Sequence, residues 1–201
     1  SAEFWDDLGD LLAGVPERRD EAEAAYRKAI ELDPRSGMFW ADLGGLLRRT
    51  PERRDEAEAA CRKAIELNSE FAGFWNNLGV LLSEIPKRQD QAEAAFSKAL
   101  EIDPRSGDIW GGFGVFLACR AGRPREAEVA LRKAVELEPD SSRILRNLGV
   151  LLYCEMVQEK EAVHYLRRAH RLDQEDPVSP AVSAAILAAC VRGSESGDEL
   201  L

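Results

Sequence analysis

Residues suited to metal binding, redox chemistry or membrane insertion are scarce in this chain. Its 201 residues include four cysteines and two histidines, and no two cysteines are spaced as Cys-x-x-Cys. His164 and His170 lie six residues apart on one predicted helix, so they do not share a face, and we expect no metal site. Apolar runs are short, and none approaches 18 residues without a charge. The sequence therefore excludes a membrane-spanning helix.

The cysteines that are present do not predict disulfides. Cys61 takes a position that other parts of the chain fill with Tyr26, Phe96 or Leu131, so we expect it in the core. Cys119 and Cys154 lie 35 residues apart, on equivalent faces of predicted neighbouring helices. Packed helices are about 8–10 Å apart, whereas a disulfide needs Cα atoms within about 7 Å. We expect free thiols and a reducing, cytoplasmic compartment.

Positive charge is also in short supply. The chain has 27 Lys and Arg against 37 Asp and Glu, a formal net charge of −10 and a pI of about 4.9. Such a protein is repelled by phosphate backbones, so we expect no nucleic-acid partner. The turns that carry arginine are flanked by Glu or Asp, which favours their interpretation as solvated surface.

Catalytic signatures are missing as well. The sequence has no nucleophile–base pair, glycine-rich phosphate loop or metal-ligand spacing, so we expect neither enzymatic activity nor a cofactor. It also has no signal peptide and no initiator Met, and it opens in register with a repeat. These features indicate a piece of a longer protein, in which a neighbouring domain could be catalytic.

What the chain has in abundance is internal repetition. The same residue types return every 35 residues, which predicts stacked helical hairpins. The aromatic or large apolar positions are Trp5, Trp40, Trp75, Trp110 and Leu145. The small positions are Gly9, Gly44, Gly79, Gly114 and Gly149, and Ala22, Ala57, Ala92, Ala127 and Ala162.

One repeat, residues 36–70, explains this pattern physically. Its first half places apolar residues three and four apart, as one face of a helix does. Gly44 lies inside that helix, where Gly costs about 0.5–1 kcal/mol relative to Ala, so we expect a neighbouring helix to pass too close for a side chain. Ala57 on the second helix suits such close packing. Asp55 is predicted as the N-cap of that second helix, and Pro51 as the residue that breaks the first.

These residues carry a specific resemblance. The pattern Trp-x2-Leu-Gly-x2-Leu, then Ala-x3-[Tyr/Cys/Phe/Leu], then Ala-x4-Pro resembles the tetratricopeptide repeat family, in five copies over about residues 1–174. The family's period is 34, and the extra residue here falls in the turn between the two helices. A period of 35 is also typical of pentatricopeptide repeats, which read single-stranded RNA. The Trp–Leu-Gly signature and the acidic charge argue against that alternative.

The resemblance implies an all-α fold, a right-handed α-solenoid of antiparallel helix pairs with a C-terminal capping helix. We place the repeats at about residues 1–35, 36–70, 71–105, 106–140 and 141–174. Residues 175–192 are expected to form the capping helix, and residues 193–201 have the composition of a disordered acidic tail.

In the tetratricopeptide family the first helices line a concave groove that holds a peptide. The resemblance therefore implies partner contacts at set positions relative to each tryptophan. The residues that we expect to contact a partner are Asp6, Asp7, Asp10, Asp42, Asn76, Asn77, Gly111, Gly112, Arg143, Arg146, Asn147 and Tyr153. They run from acidic through amide-bearing and bare to basic, and such a gradient could fix the direction of a bound peptide.

The function that this implies is a non-catalytic scaffold that binds a protein or peptide in the groove. An alternative is a self-assembly module, because residues 181–191 of the predicted capping helix are apolar nearly all round. That helix could form a homo-oligomer contact. A mass that depends on concentration would distinguish the second function from the first.

Overall fold

The computed structural model describes residues 1–119, 121–155 and 158–175, and the side chains among them through Asp173. Within these ranges the chain is helical and contains no strand. The helices are α1 (Ala2–Ala13), α2 (Arg19–Leu32), α3 (Gly37–Leu47), α4 (Arg54–Leu67), α5 (Ala72–Ser83), α6 (Gln89–Ile102), α7 (Gly107–Cys119), α8 (Pro124–Leu137), α9 (Ser142–Cys154) and α10 (Glu159–Glu175). Apart from Glu175, which ends α10, the predicted capping helix 175–192 and the tail 193–201 lie outside the described residues.

The chain divides into an N-terminal unit, Ser1–Pro104, and a C-terminal unit, Arg105–Leu201. In the N-terminal unit three hairpins, α1–α2, α3–α4 and α5–α6, follow one another; α2 packs on α3, and α4 packs on α5. In the C-terminal unit the hairpins are α7–α8 and α9–α10, and α8 packs on α9.

In each hairpin a glycine on the first helix faces the second helix and leaves room for the two helices to pack closely. A Cβ added to Gly44 would lie 2.9 Å from Cys61 Sγ and 3.3 Å from the carbonyl oxygen of Ala57. In the C-terminal unit a Cβ at Gly114 would lie 2.7 Å from Leu131 Cγ. Such distances leave no room for a side chain, so the close approach that was expected from the sequence is confirmed. Cys61 is buried, as predicted.

The turns inside the hairpins differ from the prediction. Pro51 begins a short 3-10 turn, Pro51–Arg53, and α4 then starts at Arg54 with Arg53 as its N-cap. Asp55 is therefore in the first turn of α4, and its prediction as the N-cap is wrong. An aspartate there still suits the positive end of the helix dipole. The 3-10 turn occupies residues 51–53, so α4 begins directly after it, at Arg54.

The arginines of these turns are also not merely solvated. Arg53 pairs with Glu23 of the preceding hairpin, with its Nη2 2.9 Å from Glu23 Oε1, and also with Glu56. Arg88 donates from both Nη atoms to the two oxygens of Glu58, each at 3.0 Å. The two pairs form an arginine–glutamate ladder that links successive hairpins of the N-terminal unit. Bidentate pairs of this kind are the stronger class of ion pair.

Two tryptophans close the junctions between successive hairpins. Trp40 donates its Nε1–H to the carbonyl oxygen of Pro34 at 3.2 Å, and Trp75 donates to that of Ser69 at 2.8 Å. Both carbonyls belong to the segment that connects one hairpin to the next. Each indole therefore fixes the start of its own helix to the end of the preceding repeat, while the ring stays half-buried.

Candidate partner-binding faces

Three aspartates of α1 and α3 gather near Tyr26 in the N-terminal unit. The Tyr26 hydroxyl donates to Asp10 Oδ1 at 2.7 Å. Burial, and after it the charges of Asp6 and Asp10, raise the pKa of Asp42 to about 7. Burial also raises the pKa of Asp6 to about 6, with added repulsion from Asp10 and the exposed Asp7.

This acidic cluster is under electrostatic strain near neutral pH. Asp6 Oδ1 is buried and has no hydrogen-bond partner among the described residues. The pKa of Tyr26 is raised well above its usual range, first by burial and then by its hydrogen bond to Asp10, so its hydroxyl stays protonated and remains a donor. The cluster brings together Asp6, Asp10 and Asp42, which the sequence had predicted to form one acidic end of the surface. A cationic group placed beside the cluster would relieve the repulsion.

The predicted asparagines lie on α5 of the same unit. Asn76 and Asn77 are half-buried, and Asn76 Oδ1 has no hydrogen-bond partner within the described part of the chain. Asn77 lines a small cavity of about 180 Å³ together with Gly44, Gly45, Arg48, Cys61 and Val80. Arg48 forms an ion pair with Glu84. Asn77 thus borders a recess between α3 and α5 in which its amide has both a donor and an acceptor to offer.

The C-terminal unit carries a larger and more apolar cavity, of about 640 Å³. It opens between α7 and α9, and its floor includes Leu131 of α8. The lining residues are Val115, Ala118, Cys119, Leu131, Arg146, Asn147, Val150, Leu151, Cys154 and Glu155. Arg146 and Asn147 were predicted partner residues. The cavity itself was not predicted, although Cys119 and Cys154 had been placed on equivalent faces of their helices.

The arginines of this unit carry less free charge than the sequence suggested. Arg146 Nη2 lies 2.7 Å from Asp173 Oδ2, and the Asp173 side chain is only 5% exposed. Arg143 is exposed and pairs with Asp108. Since an aspartate matches each guanidinium, the expected basic end of the surface is close to neutral.

The remaining predicted residues differ in their surroundings. Gly111 is buried, and a Cβ added there would lie 3.3 Å from Ile144 Cγ1, so this glycine allows α9 to approach α7. Gly112 and Tyr153 are half-buried. Gly112 leaves the outer surface of α7 without a side chain at that position, whereas Gly111 allows α7 and α9 to pack closely. The structure does not place Tyr153 among the residues that line the large cavity.

The described thiols separate into two kinds. Cys61 is buried, and burial raises its pKa to about 11. Cys119 and Cys154 are both exposed and free. Among the described residues, no three His, Cys, Asp or Glu side chains are placed to hold a metal ion. In the same ranges, no helix has the length and apolar character that crossing a membrane requires.

Two Tetratricopeptide repeat family models match this chain, one over residues 52–107 and 117–177 and the other over residues 17–36. No curated protein matches its sequence. Among solved structures, TTC0263, a thermophilic TPR protein of Thermus thermophilus, is similar with a TM-score of 0.81 and 19% identity. That match covers 95% of this chain and 99% of TTC0263.

Two further structures share the fold. YrrB, a TPR protein with an unusual peptide-binding site, is 23% identical with a TM-score of 0.52, and the match covers 89% of each chain. A monomeric mutant of IFIT1, solved with m7Gppp-AAAA, is 17% identical with a TM-score of 0.77. That match covers 97% of this chain and 47% of IFIT1. The predicted all-α fold of paired antiparallel helices is confirmed.

Proposed function

Because the chain belongs to the tetratricopeptide repeat family, whose members generally serve as interaction scaffolds, we propose that it binds an extended segment of a partner protein along the faces of its first helices. The segment is held without catalysis or a cofactor. In the C-terminal unit these faces are those of α7 and α9, and in the N-terminal unit those of α1, α3 and α5.

The observation that carries this proposal is the cavity between α7 and α9. Its volume of about 640 Å³ lies in the range of sites that hold a small ligand or a few side chains. Val115, Val150 and Leu151 give it apolar walls, whereas Asn147 offers one amide. An aliphatic or aromatic side chain of the partner would fill the cavity, and Asn147 would hydrogen-bond to the partner's backbone.

The acidic cluster adds a second element of recognition in the N-terminal unit. Asp6 and Asp42 are partly protonated near neutral pH because burial and mutual repulsion raise their pKa values to about 6 and 7. A lysine or arginine of the partner would favour their charged forms. Binding of a cationic segment there should therefore strengthen as the pH rises from 5 to 8.

A pair of matched variants tests the cavity. Val115→Glu places a charge in its wall, whereas Val129→Glu places the same charge on α8 outside it, where the side chain is 69% exposed. Peptides selected from a display library on the unmodified chain should bind Val115→Glu at least tenfold more weakly and Val129→Glu equally well. Equal loss in both variants, or in neither, would contradict the proposed site.

Thiol protection gives an independent readout in the same unit. In a Cys190→Ser background, a selected peptide should slow maleimide labelling of Cys119 and Cys154, which line the cavity. Cys61 is an internal control, because its burial and raised pKa keep its labelling slow with or without peptide. A peptide that binds but leaves both exposed thiols equally reactive lies elsewhere.

The exposed free thiols also bear on location. Cys119 and Cys154 persist most readily in a reducing compartment, so we infer that the protein works in the cytoplasm. Self-assembly through residues 181–191 remains the alternative function. Light scattering over a hundredfold range of protein concentration tests it, because a constant monomer mass would exclude it.

A further inference from the structure

The apolar cavity of the C-terminal unit has a smaller counterpart in the N-terminal unit. Positions two repeats apart, such as Asn77 and Asn147, are equivalent. Every residue that lines the recess beside Asn77, apart from Gly44, has its equivalent in the lining of the cavity beside Asn147. The two are therefore one feature of the repeat. Its volume is about 180 Å³ in the N-terminal unit and about 640 Å³ in the C-terminal unit.

An ion pair accounts for this difference in size. Arg48 lines the recess and pairs with Glu84, and the two side chains are 32% and 25% exposed. They meet between the end of α3 and the end of α5. The equivalent residues in the C-terminal unit are Ala118 and Cys154, which are small and line the cavity. Space that two long side chains fill in one unit is therefore open in the other.

Other differences in the lining act in the opposite direction. Val115 stands where the N-terminal unit has Gly45, and Leu131 stands where it has Cys61. Both replacements add side-chain volume, yet the C-terminal cavity is the larger of the two. The exchange of the ion pair for Ala118 and Cys154 is thus the difference that opens the cavity.

The chemistry of the lining favours an uncharged ring inside the cavity. Cys119 and Cys154 are exposed and place two sulfur atoms in its wall. Sulfur is polarizable and makes favourable contacts with aromatic rings. Arg146 adds no net charge to the wall, because it pairs with Asp173. An aromatic side chain also buries more apolar area than any other, which suits a cavity of this volume.

A carboxylate at the rim adds selection by charge. Glu155 lines the cavity, is exposed, and forms no ion pair with any residue that the structure describes. Its equivalent in the N-terminal unit is Ile85, so this charge belongs to the larger cavity alone. A lysine or arginine next to the ring of a partner would complement it.

We propose that Ala118 and Cys154 determine what this surface selects: an aromatic side chain of the partner, adjacent to a lysine or arginine that pairs with Glu155. This inference rests on the proposed function, because it names the partner's chemistry at the same cavity. The N-terminal recess, which Arg48 and Glu84 fill, rejects the same ring. Discrimination between the two equivalent places comes from blocking one of them.

Peptide selection tests the chemistry of the occupant. Random displayed peptides are selected on the Cys190→Ser chain, and those that slow maleimide labelling of Cys119 and Cys154 are kept. The kept peptides should carry Phe, Tyr or Trp beside a Lys or Arg, and Ala in place of the ring should weaken binding roughly tenfold or more. Kept peptides without an aromatic residue overturn this inference but not the proposed function. If no selected peptide protects the thiols, the proposed function fails, and this inference fails with it.

An exchange of the two positions between the units tests their role. Ala118→Arg with Cys154→Glu installs the N-terminal pair in the cavity, and the aromatic peptide should then bind roughly tenfold more weakly or not at all. The matched variant, Arg48→Ala with Glu84→Cys, opens the N-terminal recess and should leave binding at the cavity unchanged. At saturating concentration the peptide should also slow labelling of the thiol that Glu84→Cys introduces.

Two results of this exchange would overturn the inference. The first is a folded Ala118→Arg, Cys154→Glu chain, checked by thermal unfolding, that binds the peptide as well as the unmodified chain does. The second is an opened recess whose new thiol stays equally reactive with and without peptide. The second result counts even if the first variant does not fold.

Charge exchange tests the rim. Glu155→Lys should weaken binding of a peptide with an arginine beside the ring, and replacement of that arginine by glutamate should restore it. Glu159→Lys, at an exposed position outside the lining, is the matched control and should leave binding unchanged. If the two lysine variants act alike, or if the peptide exchange restores nothing, the proposed pairing with Glu155 is wrong.

Discussion

The two units use one packing scheme but present different chemistry on their first helices. In both, a glycine of the first helix lets the second helix approach closely, as Gly44 and Gly114 show. On the exposed side the N-terminal unit gathers the carboxylates of Asp6, Asp10 and Asp42. The C-terminal unit instead has an apolar cavity and two thiols. Close packing inside a hairpin requires a glycine at one position of the first helix in both units. The residue types on the exposed side of the first helices are under no such constraint and differ between the units.

The linkage between hairpins also differs. In the N-terminal unit the turn arginines Arg53 and Arg88 reach back to the preceding hairpin. In the C-terminal unit the equivalent of these arginines at the second hairpin is Gln158. There Arg132 of α8 takes over and binds Glu161 of α10, with its Nη1 2.7 Å from Glu161 Oε1. A link between successive hairpins is kept although its donor has moved from turn to helix.

The largest effects should come from the packing that the units share. Leu82→Ala and Leu152→Ala remove equivalent side chains that are at most 1% exposed, one in each unit. Each should lower the free energy of unfolding by about 2–5 kcal/mol, because a buried cavity remains. Urea denaturation measures this, and Val129→Ala, at a 69% exposed site, should change stability by less than about 0.5 kcal/mol. A large effect in only one unit would show that the cores are not equivalent.

The ladder should give a smaller effect that depends on position. Arg88→Met leaves Glu58, whose side chain is 14% exposed, with Arg62 alone, and should cost about 1–2 kcal/mol of unfolding free energy. Arg18→Met breaks only an exposed pair and should leave the free energy of unfolding nearly unchanged. Chemical denaturation of the two variants tests this. Equal effects would mean that the bidentate contact across hairpins adds nothing.

The smallest effect should be electrostatic and confined to the N-terminal unit. An aspartate in an unfolded chain has a pKa of about 3.9, whereas that of Asp42 is raised to about 7. Between these values the folded state binds more protons than the unfolded state, so stability falls as the pH rises through this window.

Asp42→Asn should remove that loss. We expect it to stabilise the protein by about 1 kcal/mol at pH 8, after allowance for solvent screening, and to have little effect below pH 4. Asp140→Asn, at a side chain that is 78% exposed, is the control and should show no such dependence on pH. Hydrogen exchange at pH 6 and 8 locates the effect. A stability gain that is the same at every pH would contradict the linkage with proton binding.

The 35-residue period and the sizes of the repeated side chains were enough to predict the close packing inside each hairpin. Gly44 opposite Ala57, and the buried position of Cys61, follow from 35-residue spacing together with the needs of close helix packing. The helix start at Arg54 did not follow, because a 3-10 turn after Pro51 was not recognised. The observed N-cap, Arg53, lies two residues before the predicted one, Asp55, and local sequence preferences do not resolve a shift of that size.

The sequence predicted which residues lie on the candidate faces, but not which residues they contact there. Asp6, Asp10 and Asp42 could be assigned to one surface, but the hydrogen bond from Tyr26 and the raised pKa values depend on how α1 and α3 sit together. The ladder from Arg88 to Glu58 spans 30 residues, and that separation has a meaning only once the stacking of hairpins is known. Arg146 was predicted at the basic end of the surface, and its pairing with Asp173 likewise follows only from how α9 and α10 pack together.

The indole hydrogen bonds across the hairpin junctions give this protein built-in optical probes. Trp40 and Trp75 each report on one junction, through an Nε1–H bond to a carbonyl of the preceding connection. Variants that keep one tryptophan and replace the others by Phe would emit from a single known place along the array. The temperature at which each emission shifts would then map, junction by junction, how far a disturbance at one repeat travels to the next.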